Sequence, residues 1–217
     1  MESPLIQLLV LAGIAIFLIL RLKNVLGTRD GFEKPPVPQP SRKGRPEFEV
    51  IEGGPDLDIT DHVEEDSSEA LALASMKRIE PSFSVTDFVQ GARGAYEMIL
   101  MGFERGELDQ IQPFLAEDVF EAFVDVVSAR EDEGLTIEAE FGGVRETSIH
   151  AVNFDKDTNL AEISMRFVCE LTSVVRDKGG DIIEGVADKS KKQKDTWTFA
   201  RTMGADDPNW LLVATDA

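Results

Sequence analysis

Cysteine is nearly absent from this chain of 217 residues, with Cys169 its single example. An intrachain disulfide is therefore excluded, and the usage fits a reducing compartment. Histidine is as sparse. His62 and His150 stand far apart, so with one thiol they offer no thiolate or imidazole cluster for zinc, and no metal is expected. Positive charge is scarce too: 22 basic side chains face 41 acidic ones, a formal charge of −19. That is the reverse of the basic face that nucleic-acid binding needs, so no nucleic-acid partner is expected. Glycine-rich phosphate loops of either usual kind are missing. Gly142-Gly143 and Gly179-Gly180 are isolated pairs that read as turns, and no cofactor is expected.

One long apolar run is present. Ser3 to Leu20 holds 18 residues without an ionisable side chain, and Arg21 and Lys23 follow at once. A bilayer-spanning helix needs roughly 17–25 residues, and Arg21 can snorkel so that Leu22 extends the stretch. A cleaved secretory signal carries its positive charge before the apolar core; here Glu2 precedes it and the basic residues follow. The pattern predicts an uncleaved single-pass transmembrane anchor over residues 3–22, in contact with the lipid bilayer. The N-terminus is expected outside, with the rest of the chain on the cytoplasmic or matrix side. A buried core helix is the weaker alternative, because the segment is apolar all round.

Residues 23–80 read as an acidic, proline-containing linker, disordered by composition. From residue 35 the linker opens PPVPQP, is rich in Asp and Glu, and has Phe48 as its only aromatic residue. Asp66 to Arg78 can instead form a short helix, and composition does not decide between the two.

A folded domain is expected over residues 81–217. Ser84 caps a helix in which Val85, Phe88, Val89, Ala92, Tyr96, Ile99 and Phe103 recur at helical spacing, and Gly106 ends it. A short helix with Leu108 and Ile111 stops near Pro113, and a third runs from about Ala116 to Asp132. After Gly134 the period becomes alternating. Strands are predicted at Leu135–Phe141, Thr147–Phe154, Ala161–Thr172, Ile182–Ala187, Lys194–Arg201 and Trp210–Thr215, with a hairpin turn at Lys178–Asp181. Helices followed by antiparallel strands make an α+β plan, with helices packed on one face of a curved sheet.

Two stretches carry a family likeness: Phe88 to Phe123 (FVQGARGAYEMILMGFERGELDQIQPFLAEDVFEAF) and Asp195 to Leu212 (DTWTFARTMGADDPNWLL). The spacing of Tyr96, Ile99, Phe103, Gly106, Leu108 and Phe114 and the terminal WTF…W pattern point the same way. Residues 82–217 thereby resemble the C-terminal domain of the mitochondrial inner-membrane translocase subunit 44 family, including its membrane-anchored bacterial relatives. The resemblance implies a cone-shaped domain like nuclear transport factor 2. It also implies a non-catalytic role, tethering or adapting protein clients at a membrane during translocation or assembly. The mitochondrial members place a long charged region before this domain, where this chain has the apolar run and the acidic linker, so chaperone recruitment is not carried over. Residues 82–217 carry 13 basic and 27 acidic side chains, net −14, which repels an anionic headgroup surface. With no Arg-rich presequence ahead of the apolar run, a bacterial inner membrane is expected rather than the mitochondrial one.

Enzymes built on a cone place acids, bases or tyrosines inside it, so the inward rows are the test. They read Ala161, Ile163, Met165, Phe167, Cys169, Leu171 and Leu135, Ile137, Ala139, Phe141, in which Cys169 is the one titratable group. A thiol among apolar neighbours is usually inert packing. His150 paired with Tyr96 is the alternative, enzymatic or small-molecule-binding, reading of the cone. The preferred reading is an adaptor that binds client proteins or a membrane protein complex. Its candidate contact residues are the aromatics Phe88, Phe103, Trp197 and Trp210 and the one basic cluster, Lys189, Lys191, Lys192 and Lys194, expected in a loop before the WTF strand.

Overall fold

A computed structural model describes residues 56–187 and 189–216. The predicted anchor at 3–22 and the linker up to residue 55 lie outside the described residues. Among the described residues, no helix is long and apolar enough to cross a membrane.

The element order is α1 (Leu57–Thr60), α2 (Ser68–Ile79), α3 (Val85–Arg105), α4 (Leu108–Ile111), a 3-10 turn (Gln112–Phe114) and α5 (Glu117–Glu133). The strands follow: β1 (Thr136–Asp155), β2 (Leu160–Arg176), β3 (Ile182–Gly185), β4 (Lys191–Thr202) and β5 (Leu211–Asp216). The pairings between these strands are antiparallel, in the order β1-β2-β4-β5, with β3 also on β2. The architecture is α+β, with α2 and α3 packed against the sheet.

The inward row of β2 is as its alternation predicts: Ala161, Ile163, Met165, Phe167, Cys169 and Leu171 are all buried. From α3, Val85, Phe88, Ala92, Tyr96 and Ile99 meet this row to make the core. Gly106 ends α3 at φ +71° and Gly134 ends α5 at φ +69°, the left-handed conformation that side chains with a Cβ avoid.

Two expectations are corrected here. Gly142-Gly143 is not a turn between two strands. Both residues lie within β1, whose register slips at Phe141/Gly143, Val144/Glu146 and Ile149/Ala151. A bulge lets one strand bend where a turn would have ended it, and the alternation of burial breaks at or beside the slips, at Gly143-Val144, Arg145-Glu146 and His150-Ala151.

The domain also begins earlier than residue 81. Leu73 and Met76 of α2 are fully buried and Ile59 of α1 is nearly so. Composition misled because the acidic residues of this stretch are used in bonding. Asp58 accepts hydrogen bonds from the backbone amides of Val85 at 2.8 Å and Thr86 at 2.9 Å, so it caps α3 from 27 residues away. Ser84 Oγ accepts from the Asp87 amide at 3.1 Å, the local cap expected from sequence, and donates to Asp58 at 3.2 Å. Lys77 Nζ lies 2.7 Å from Asp58 and 2.8 Å from Asp56, which ties α1 to α2. Partial burial opposes charge on Asp58. The hydrogen bonds from Lys77, Thr86 and Val85 outweigh it and hold the carboxyl well below the usual carboxylate range.

Asp58→Ala is expected to lower the unfolding free energy at neutral pH by about 1–3 kcal/mol, because it removes a charged cap shared by two amides and an ammonium. The folded-state pKa lies below the unfolded value of 3.8. The contribution is therefore complete above the unfolded value and is lost as pH falls through the folded one. Urea unfolding of wild type and variant at neutral and acidic pH should show a gap that narrows in acid. An unchanged gap would assign the effect to packing instead.

Candidate functional site

An open groove of about 390 Å³ lies between the N-terminal half of α3 and the β4–β5 end of the sheet. Its floor is aromatic. The Trp210 ring centroid is 4.6 Å from Phe88 and 5.9 Å from Phe83, and Phe88 meets Phe199 edge-on at 6.3 Å. Its wall on α3 is made of small residues, Gly91, Ala92 and Ala95, which leaves room above the rings. Arg201 closes one side. Its guanidinium donates to Glu80 at 2.7 Å and to the Pro208 carbonyl at 3.2 Å, and lies 5.3 Å from the Trp210 ring centroid. Burial works against charge on Glu80, but the bonds from Arg201 and the Gly204 amide prevail and lower its pKa. Ser82, Ser84 and Asp87 complete a polar rim. An apolar floor under a polar rim suits an apolar side chain carried on a polar backbone.

The interior of the sheet holds a polar cluster of another kind. Tyr96, fully buried, stacks on Phe167 at 4.3 Å and meets Trp197 at 4.6 Å. Its hydroxyl donates to Asp195, and Cys169 Sγ is 3.1 Å from the same oxygen. Gln193 donates to Asp195 at 2.9 Å. Burial raises the Tyr96 pKa far above its ordinary value, and the Asp195 and Cys169 contacts add to this, so the phenol stays protonated. Burial likewise raises Asp195, although the bonds from Tyr96 and Gln193 oppose the shift. Burial pushes the Cys169 thiol up too, and the nearby Asp195 carboxylate further disfavours a thiolate. Neither the groove nor the 220 Å³ cavity lined by Glu104, Ser173, Glu184, Lys191 and Gln193 is lined by Tyr96, Asp195 or Cys169. The three polar groups satisfy one another and present nothing to either cavity.

The sequence-predicted site residues divide accordingly. Phe88 and Trp210 are brought together in the groove. Trp197 is not available for contact, since it is buried under Tyr96. Phe103 is half-buried, with Phe123 at 4.5 Å and the Arg130 guanidinium 4.5 Å from its ring. Lys191, Lys192 and Lys194 stand on β4 rather than in a loop, because the strand extends to pair Lys191 with Leu171, and Lys189 precedes it. His150 and Tyr96 are not brought together. The bulge at Ile149/Ala151 reverses the parity of β1 and leaves His150 exposed. The inward rows were read from β1 and β2 alone, which missed Asp195. Its signal was its parity with Trp197 and Phe199 on β4. Among the described residues, no three His, Cys, Asp or Glu side chains converge to hold a metal.

A family model described as "Tim44-like domain" matches residues 69–217, well over half of the chain. The chain belongs to the Tim44-like domain family. That match opens one residue into α2, in agreement with the earlier start of the folded domain. No curated protein sequence matches the chain. Among solved structures it is similar to the intermembrane space region of the chloroplast protein ARC6. The identity is 10%, the overlap covers 59% of this chain and 94% of that one, and the TM-score is 0.41. It is also similar to a putative polyketide cyclase from Xanthomonas campestris pv. campestris, at 16% identity over 58% of this chain and 91% of that one, with TM-score 0.29. At these TM-scores neither likeness says what this Tim44-like domain binds.

The buried cluster gives a pH signature. The folded state holds the Asp195 proton more tightly than the unfolded chain, so stability falls as pH rises from the unfolded value near 3.8 through the higher folded one. Tyr96→Phe removes a bond to the carboxylate and should cost about 1–3 kcal/mol at neutral pH, with a smaller loss in the acid range where Asp195 is protonated. Asp195→Asn should abolish that part of the pH slope. Unfolding free energies from urea titrations across this range check both, and parallel pH profiles for all three proteins would contradict them.

Proposed function

We propose that this Tim44-like protein is a membrane-associated, non-catalytic adaptor that holds an apolar segment of a client protein in the Phe83–Phe88–Trp210 groove. The observation that carries the reading is the groove itself, an open aromatic floor beside the glycine and alanine wall of α3. Family membership favours a protein-binding role in translocation or membrane-protein assembly. Asp87 on the rim and the net −14 of residues 82–217 favour basic residues flanking the client's apolar stretch. The proposed setting is the inner membrane of a bacterium, with the chain anchored through residues 3–22 and the domain on the cytoplasmic side. An anchor raises the local concentration of client within reach of the linker, so modest groove affinity suffices.

The groove can be filled without disturbing what surrounds it. A Cβ at Gly91 meets nothing within 4 Å, and Gly is the poorest helix former after Pro. Gly91→Trp is therefore expected to occupy the groove while leaving the unfolding midpoint unchanged or higher. A photo-crosslinking residue at Asn209, on the groove margin, should give discrete protein adducts in native membranes. In the Gly91→Trp background their yield should drop by about tenfold or more, the equivalent of about 1.4 kcal/mol. Adducts that persist at full yield in that background, or none at all, would remove the groove from the mechanism.

A further inference from the structure

A second surface differs from the groove in chemistry and place. β3 and β4 lie end to end along the same edge of β2: Ile182 pairs with Arg176 and Gly185 with Val174, then Lys191 with Leu171 and Asp195 with Phe167. Between them the chain leaves the sheet. Gly185 takes φ +86°, and a Cβ there would stand 2.1 Å from the Ser173 carbonyl oxygen. β5 covers only Thr196–Ala200 of β4. Among the described residues, Ile182–Gly185 and Lys191–Asp195 thus have no strand on their far side.

This open edge has two ends. Ile182, Ile183 and Val186 are 45%, 56% and 55% exposed, an apolar group that folding alone does not explain. Lys189, Lys191, Lys192 and Lys194 follow, all exposed, in a domain of net charge −14. Only Lys192 has an acidic partner in an ion pair among the described residues, Glu146 at 3.7 Å. Lysines on an edge deter pairing with another copy of the same edge, where lysine would meet lysine. They do the opposite for a strand that carries carboxylates.

We propose that the β3–β4 edge is a strand-addition site for an extended, acidic segment of a partner protein. The partner's carboxylates would face Lys192 and Lys194, which share one face of β4, and its apolar residues would reach Ile183 and Val186. Backbone hydrogen bonds to the open edge supply affinity, and the alternate side chains supply selectivity. The site does not rest on the groove, and groove variants leave it intact.

The test uses the full chain in mild detergent at about 0.15 M salt, where the Debye length of about 8 Å screens the domain's overall charge but not contact pairs. The probe is a fluorescent ten-residue peptide of alternating Glu and Val, followed by anisotropy. Saturable binding is expected, weakened about tenfold or more by Lys192→Glu with Lys194→Glu and unchanged by Gly91→Trp. Two further peptides are N-methylated on alternate residues, one on each backbone edge. One should lose binding and the other keep it, because an added strand bonds through a single edge. No binding of the parent peptide would overturn the proposal, as would equal binding of both methylated forms, which signals charge attraction alone. A chain that is dimeric by sedimentation, and that Ile183→Lys converts to monomer, would assign the edge to a second copy and overturn it equally.

Discussion

The contact on which the rest depends is the one between Tyr96 and the sheet. Its ring lies flat on Phe167 of β2 and edge-on to Trp197 of β4, and its hydroxyl bonds Asp195. A helix facing a sheet through apolar side chains alone can slide, whereas a directional bond to a buried carboxylate sets both register and rotation. With α3 fixed there, its N-terminal half presents Gly91, Ala92 and Ala95 to the groove, and its C-terminal half brings Glu104 to the smaller cavity. Buried polar groups are costly unless bonded. Asp195, Cys169, Gln193 and Tyr96 bond to one another, so the interior serves to hold the domain's shape, and the groove is the surface proposed for a client.

The N-terminal end of α3 is fixed by a different kind of charge. Asp58 stands where the helix exposes unpaired amides and positive dipole, and Lys77 balances it from α2. α1 and α2 therefore form part of the domain, and the Glu80–Arg201 pair continues that link to the margin of the groove. A destabilised α2 would disturb the groove without touching a groove residue, which makes this joint a sensitive point of the structure.

Much of this was legible in residue order. The helical spacing from Val85 to Phe103, the cap at Ser84, and the alternation from Ala161 to Leu171 each depend on near neighbours, and the elements follow them. What escaped depends on residues far apart in sequence. The role of Asp58 is set 27 residues away, so its stretch looked like an acidic tether. The bulges of β1 answer to register with β2, so Gly142-Gly143 looked like a turn and His150 looked like a partner for Tyr96. Asp195 looked like one more acid beside WTF until β4 placed it under Tyr96. Of the aromatic candidates, Phe88 and Trp210 do meet in the groove, while nothing local marks Trp197 as core.

In the function proposed above, the domain works through its groove and uses its polar interior only for structure. The most direct test is functional rescue in cells lacking the chain, comparing Asp195→Asn, which keeps an oxygen to accept from Tyr96 but removes the acid, with Gly91→Trp at matched membrane levels of folded protein. Asp195→Asn is expected to restore function and Gly91→Trp is not. Full rescue by Gly91→Trp with failure of a folded Asp195→Asn would contradict this and point to chemistry inside the sheet.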